Sequence, residues 1–288
     1  MKLILIHGRD QQGKDRAALQ KAWERALDEG FEEAELDKPT YSVAFPFYGD
    51  ELDRLVKVVD APLVKDVAKR RGAPDTNEAD FRGALLEELA ENASISKTTI
   101  AQHYKGDPKE KGPLNWGWVQ AVLRALDTTP LGEKAIDRFT RDVYVYLTYD
   151  LVSRTINKIV TDKIDREPCV VVAHSLGTIV AYRVLRDLGP GFDVRRLITV
   201  GSPLGVEKIR DHITPPALAM PSSIPSWFNA YDDRDVVALR ALDKRTWPIK
   251  PPITNKRDVD NDTKNRHGII GYLDDPVVAK WIYDGLTS

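Results

Sequence analysis

The chain has 288 residues, 42% of them hydrophobic and 30% charged, which is enough apolar material for a sizeable core and excludes a disordered chain. A formal net charge of −2 gives no global attraction to nucleic acid or to an anionic membrane surface. The single cysteine, Cys169, rules out an intrachain disulfide framework and favours a reducing compartment, with the cytoplasm as the expected setting.

The N-terminus enters an apolar run with no charged-then-apolar leader, and no run approaches the roughly 20 residues of a membrane span. Leu3-Ile4-Leu5-Ile6 is continuous and β-rich, suited to a strand buried on both faces of a parallel sheet. It ends in His7-Gly8-Arg9-Asp10, and the spacing then predicts a helix from Arg16 to Gly30, with Gly30 as its C-terminal stop. Gly8 to Lys14 matches most of a phosphate-binding P-loop between strand and helix. Asp15, however, stands where that motif needs Ser or Thr; it offers magnesium no hydroxyl and repels phosphate.

A second strand is predicted at Tyr41 to Phe45. From Asp50 to Thr140 the spacing is helical without strands, with helices at Glu51–Asp60, Asn77–Asn92 and Trp116–Leu126. Gly72-Ala73-Pro74 separates two of them, the basic cluster Lys65 to Arg71 reads as a solvated helix face, and the polar stretch Lys97 to Gly112 reads as a mobile loop. A crossover between parallel strands needs only one helix. Residues 49–140 therefore read as an inserted helical cap on a core formed by 1–48 and 141–288. Trp116 and Trp118 serve either as packing anchors of this cap or as pocket lining.

Arg138 to Ile164 reads as one long helix, with a short strand over Tyr144 to Tyr149 as the alternative. Then comes the most informative stretch, Pro168 to Thr178. The β-branched run Val170-Val171-Val172 halts at Ser175, and helical spacing resumes over Leu176 to Leu185. A serine at such a strand-to-helix turn sits in strained backbone, and small residues two before and two after it let the two backbones pass; Ala173 and Gly177 supply them. The helix start after Ser175 offers free N–H groups to developing negative charge. Beyond it, Leu197–Val200 and Ser226–Tyr231 read as strands, a last strand is expected between Trp247 and Val259, and Asp275–Leu286 reads as an amphipathic helix. The apolar loop Ala217 to Met220 is placed to border a site mouth.

A serine hydroxyl needs a base to become a nucleophile. Of five histidines, His7 lies in the glycine turn, His103 in the polar part of the insertion, and His174 beside Ser175 but directed elsewhere by strand alternation. His212 precedes the acidic cluster Asp232, Asp233, Asp235, whereas His267 follows it in a loop bordered by Gly268. That cluster lacks the glycine and distal glutamate of an EF-hand, and no Cys/His group has zinc spacing.

The serine turn, the His7-Gly8 pair after a first strand, an acid after a later strand and a final histidine together resemble the α/β-hydrolase family, over residues 1–48 and 141–288, with Ala173 replacing the usual first glycine of the nucleophile elbow. The resemblance implies a three-layer α/β fold of about six mainly parallel strands with helices on both faces, plus the helical cap. The family order of serine, acid and histidine implies Ser175, Asp235 and His267 as catalytic residues, with Asp232 and Asp233 as alternative acids. It also implies an oxyanion hole from the backbone N–H groups of Arg9 and Leu176, one such donor being worth ~3 kcal/mol to a transition state. The expected activity is cleavage of a small-molecule or lipid ester without cofactor or metal, esterase- or lipase-like. A peptidase, amidase or thioesterase on the same residues, a non-catalytic binding module and a P-loop-like nucleotide binder are the alternatives.

Overall fold

The computed structural model describes residues 1–59, 76–106, 112, 116–189, 191–214 and 216–288. Lys65 to Arg71, Gly72-Ala73-Pro74 and the side chain of Trp116 lie outside the described residues.

The apolar runs of the sequence become the strands β1 (Lys2–Ile6), β2 (Ser42–Ala44), β3 (Cys169–His174), β4 (Val194–Val200), β5 (Trp227–Ala230) and β6 (Thr254–Lys256). They form one six-stranded sheet in the order β2-β1-β3-β4-β5-β6, and every neighbouring pair is parallel. Alternation along the central strands divides their side chains between two cores. Leu3, Leu5, Val170, Val172, Ile198 and Val200 face one side, where they meet Trp23, Leu27 and Phe31 of α1 (Arg16–Glu33) and Val278 and Ile282 of the C-terminal helix α11 (Pro276–Thr287). Ile4, Ile6, Val171, Ala173 and Leu197 face the other. The result is a three-layer α/β arrangement with helices on both faces of a parallel sheet.

All described elements between β2 and β3 are helices: α2 (Gly49–Val59), α3 (Thr76–Asn92), α4 (Lys97–His103), α5 (Trp116–Leu126), α6 (Glu133–Thr148) and α7 (Asp150–Thr161). Their apolar side chains, among them Leu52, Phe81, Leu89, Val122, Phe139 and Ile156, join the second core together with the sheet residues. Trp118 is buried there, its indole N–H donating to Glu87 at 2.6 Å. After β3 come α8 (Leu176–Asp187), a 3₁₀ turn at Pro203–Gly205, α9 (Glu207–Ile213) and the one-turn α10 (Ile270–Leu273). Among the described residues no helix is long and apolar enough to cross a membrane.

Three expectations change. The helix expected as Arg138–Ile164 is two helices, because the backbone leaves helical geometry at Tyr149 (φ −102°, ψ 105°). The break lets Val143 and Leu147 before it, and Val152 and Ile156 after it, face the same core. Lys97–His103, within the stretch expected to be mobile, is the helix α4, whose first turn is closed by Ser96 accepting from the Thr99 N–H at 3.0 Å; Ser96 is its N-cap. Gly30 does not end α1. The helix runs on to Glu33, and Gly30 is buried where α1 crosses the chain between α10 and α11: a Cβ built on it would lie 2.4 Å from the Leu273 carbonyl oxygen and 2.9 Å from Ala279 Cβ.

That contact decides what a substitution does. In an open helix interior Gly→Ala gains about 1 kcal/mol from propensity, but an added methyl in a full core costs about 1–3 kcal/mol. Gly30→Ala is expected to lower stability by about 2 kcal/mol in urea unfolding; an unchanged or raised midpoint would show that α1 does not approach Leu273 this closely.

Candidate active site

The chain leaves β1 for β2 on one side of the sheet and returns through β3 on the other, so the order of strands reverses between β1 and β3. At such a switch point the loops after the strands diverge and leave a crevice at their C-terminal ends. The two loops that meet there are His7-Gly8-Arg9 and Ser175.

Ser175 has φ 54° and ψ −129°, a conformation that costs a non-glycine residue about 1–3 kcal/mol and persists only where its surroundings hold it. Its N–H donates to the Val200 carbonyl at 3.2 Å, and its carbonyl accepts from the N–H and hydroxyl of Thr178 at 2.9 and 2.8 Å. Glycines make room for it. A Cβ on Gly8 would lie 2.8 Å from Ser175 Cβ, and one on Gly177 would lie 2.5 Å from the His7 carbonyl oxygen. The turn after β1 thus lies directly against the turn after β3.

His267 also reaches the serine. Its Nε2 lies 2.8 Å from Ser175 Oγ, and its Nδ1 lies 2.6 Å from Asp235 Oδ2. A carboxylate only accepts, so Nδ1 carries the imidazole proton and Nε2 is left to accept from the serine hydroxyl. Asp235 is buried, and its other oxygen accepts from the Val237 N–H at 3.0 Å. Ser175 and His267 are 1% and 9% exposed, so the hydroxyl and imidazole stand out of bulk water. The structure thus brings Ser175, Asp235 and His267 together from three loops.

The two other acids of the cluster point elsewhere. Asp233 is exposed. Asp232 accepts from the backbone and guanidinium of Arg234 and from the Asn261 N–H. Burial works to raise its pKa, but these donors hold it below the usual carboxylate value. Asn261 in turn donates to the Gly268 carbonyl at 2.8 Å, so Asp232 and Asn261 tie the His267 loop to the end of β5. Asn261 was not legible as a functional residue; it lies in a polar loop with no motif around it.

His7 braces the oxyanion-loop candidate. Its Nδ1 lies 2.6 Å from the Gly8 carbonyl, its Nε2 accepts from the Tyr48 N–H at 3.0 Å, and the Tyr48 hydroxyl donates to the His7 carbonyl. Burial pushes its pKa down to about 4, so it is neutral near pH 7, with the proton on Nδ1. Because a trans peptide sets N–H and C=O in opposite directions, fixing the Gly8 carbonyl also fixes the Arg9 N–H. The Arg9 side chain lines a cleft of about 500 Å³ walled by α2, α3 and α6 and pairs with Asp10 at 2.6 Å and Asp142 at 2.8 Å. Leu176, the first residue of α8, is buried and has a backbone N–H with no earlier turn to bond.

Carboxylates sit where phosphate would be placed: the Gly13 N–H donates to Asp50 at 2.6 Å, and Asp15 caps α1 by accepting from the Ala18 N–H. Among the described residues no cluster of His, Cys, Asp and Glu is arranged to hold a metal. Cys169 is buried in β3, where burial pushes its thiol up to about 12. Ala217 to Met220 is held over α8 by the Tyr182 hydroxyl, which bonds the backbone of Ala219 at 3.3 Å.

Two further side chains touch the site. His174 follows strand alternation to the face opposite Ser175's neighbours Ala173 and Ile6, as expected, yet it does not leave the site: its Nε2 lies 2.8 Å from the His267 carbonyl and its ring 4.8 Å from the His267 ring. Burial holds its pKa well below the ordinary histidine value. The Tyr272 hydroxyl lies 2.6 Å from Asp235 Oδ2. Both contacts join residues far apart in the chain, and neither follows from local spacing.

Neutral, buried His7 carries a stability prediction. Between pH 6.5 and about 4 the unfolded chain binds a proton that folded His7 refuses, so its contribution is complete above pH 6.5 and is lost as pH falls through that window. At pH 4 the loss is roughly 3 kcal/mol. Urea unfolding of His7→Gln is expected to show a shallower fall between pH 7 and 4 than the unsubstituted protein; equal slopes would contradict a neutral buried imidazole here. No family model, curated protein or solved structure matches this chain, and the chemistry of the site rests on its geometry.

Proposed function

We propose that the chain is a serine hydrolase of the α/β-hydrolase type that cleaves carboxylic esters through an acyl-enzyme. The observation that carries the reading is the unbroken relay from Ser175 Oγ to His267 Nε2 (2.8 Å) and from His267 Nδ1 to Asp235 Oδ2 (2.6 Å), at a serine followed directly by the first residue of a helix, Leu176. In this reading His267 takes the hydroxyl proton as Ser175 Oγ attacks the ester carbonyl carbon. Buried Asp235 keeps the proton on Nδ1 and stabilises the imidazolium as it forms.

The tetrahedral oxyanion is held by the N–H groups of Leu176 and Arg9. The braced His7-Gly8 turn and the close approach of Gly8 to Ser175 support that assignment. Collapse of the intermediate breaks the bond to the leaving alcohol, which takes the proton from His267. Water, deprotonated by the same imidazole, then attacks the acyl carbon; the bond from that carbon to Ser175 Oγ breaks, Oγ takes the proton back from His267, and the acid leaves. No metal or cofactor takes part in these steps. The substrate is a small-molecule or lipid ester.

Two predictions follow from the roles assigned. Assayed on p-nitrophenyl esters of rising chain length, Ser175→Ala is expected to lower kcat by about 10⁴ to 10⁶; full activity in that variant would end the reading. Asp235→Asn is expected to lower kcat by about 10³ to 10⁴, whereas Asp233→Asn stays within about twofold. A reversed order would move the acid to the exposed residue.

A further inference from the structure

We propose that Tyr272 is a positioning residue of the proposed triad: by donating to the same Asp235 oxygen that His267 uses, it weakens the hold of the carboxylate on the imidazolium and so keeps His267 in its base form at lower pH. The inference rests on the hydrolase reading for its catalytic consequence, but not for its geometry.

Asp235 is buried, and the donors within reach of its carboxylate are neutral: the Val237 N–H on Oδ1 and, on Oδ2, the Tyr272 hydroxyl and His267 Nδ1, each at 2.6 Å. Tyr272 is itself fully buried, and it is aimed. Its hydroxyl oxygen accepts from the Asp232 N–H at 3.3 Å, which leaves the hydroxyl proton for Asp235. Burial and the neighbouring Asp235 charge keep its phenol protonated.

Among the described residues, β3 brings His174, on the His267 carbonyl, to the pair, and the turn after it brings Ser175; the loop after β5 brings Asp232, whose charge is paired with Arg234; and the His267 loop brings Arg266, paired with Asp260 and bonded to the Asn261 carbonyl. The sign follows from charge. The Asp235–His267 pair is net negative when the imidazole is neutral and net zero when it is protonated, and an O–H dipole directed at Oδ2 stabilises the negative state more. Removing the hydroxyl therefore favours uptake of the proton.

The test is Tyr272→Phe, which keeps the ring in its packed position. In ester hydrolysis the acid limb of kcat/KM against pH is expected to move upward by about one unit, while the rate above that limb stays within about tenfold. Site-specific 3-fluorotyrosine at 272, a stronger donor that also keeps the ring, is expected to move the limb downward. A purely structural tyrosine would lower stability or rate without displacing the limb in opposite directions. Imidazole NMR gives a second readout that needs no turnover: the His267 titration midpoint is expected to rise in Tyr272→Phe. Equal His267 midpoints in the two proteins overturn the proposal whether or not esters are hydrolysed. A shifted midpoint in a protein that turns over no ester keeps the proposal and removes the hydrolase reading.

Discussion

The backbone of Ser175 is the constraint around which the rest is arranged. A serine at φ 54° between a strand and a helix is unfavourable in isolation, and the chain holds it by closing in from each side. β4 accepts its N–H, Thr178 of α8 donates twice to its carbonyl, and Gly8 fills the space where any side chain would strike it. The strain turns the hydroxyl out of the sheet toward His267. It also puts the first residues of α8 next to the same serine, so one local conformation sets both the proposed nucleophile and the proposed place for negative charge.

A second layer of hydrogen bonds supports this arrangement. His7 locks the Gly8 carbonyl, Tyr272 and the Val237 N–H hold Asp235, His174 holds the His267 carbonyl, and Asp232 with Asn261 ties down the loop that carries His267. His7 and His174 are kept uncharged by burial, so they can act as fixed donors without adding positive charge beside the imidazole that the proposed mechanism must protonate. The cations of this shell are engaged by other groups: Arg234 by Asp232 and Asp260, and Arg266 by Asp260 and the Asn261 carbonyl. The donors around the proposed base are thus preorganised, and in a buried site such donors need no reorientation as charge develops.

Much of the fold was legible because strands buried on both faces leave continuous apolar runs, as at Leu3 to Ile6 and Val170 to Val172, and because a strand meeting a helix at a serine flanked by small residues is locally encoded. The same local reading failed where a distant contact decided the outcome. Gly30 looks like a helix stop until Leu273 is seen against it, and the Tyr149 break becomes visible only with the core that both flanking helices must face. Within the site, Ser175 was readable from its own neighbours. His267 and Asp235 were reachable only through the order of residues that the family resemblance supplied. His174, Tyr272 and Asn261 act through contacts that local spacing does not encode.

The most direct measurement of the central claim is a fluorophosphonate reaction followed by peptide mass mapping, with the heat-unfolded protein as control. If Ser175 is activated by His267 and Asp235 in this geometry, the native protein carries one phosphonyl adduct on the peptide containing Ser175, and the unfolded protein carries none. No adduct on the native protein, or an adduct on a different serine, would contradict the account.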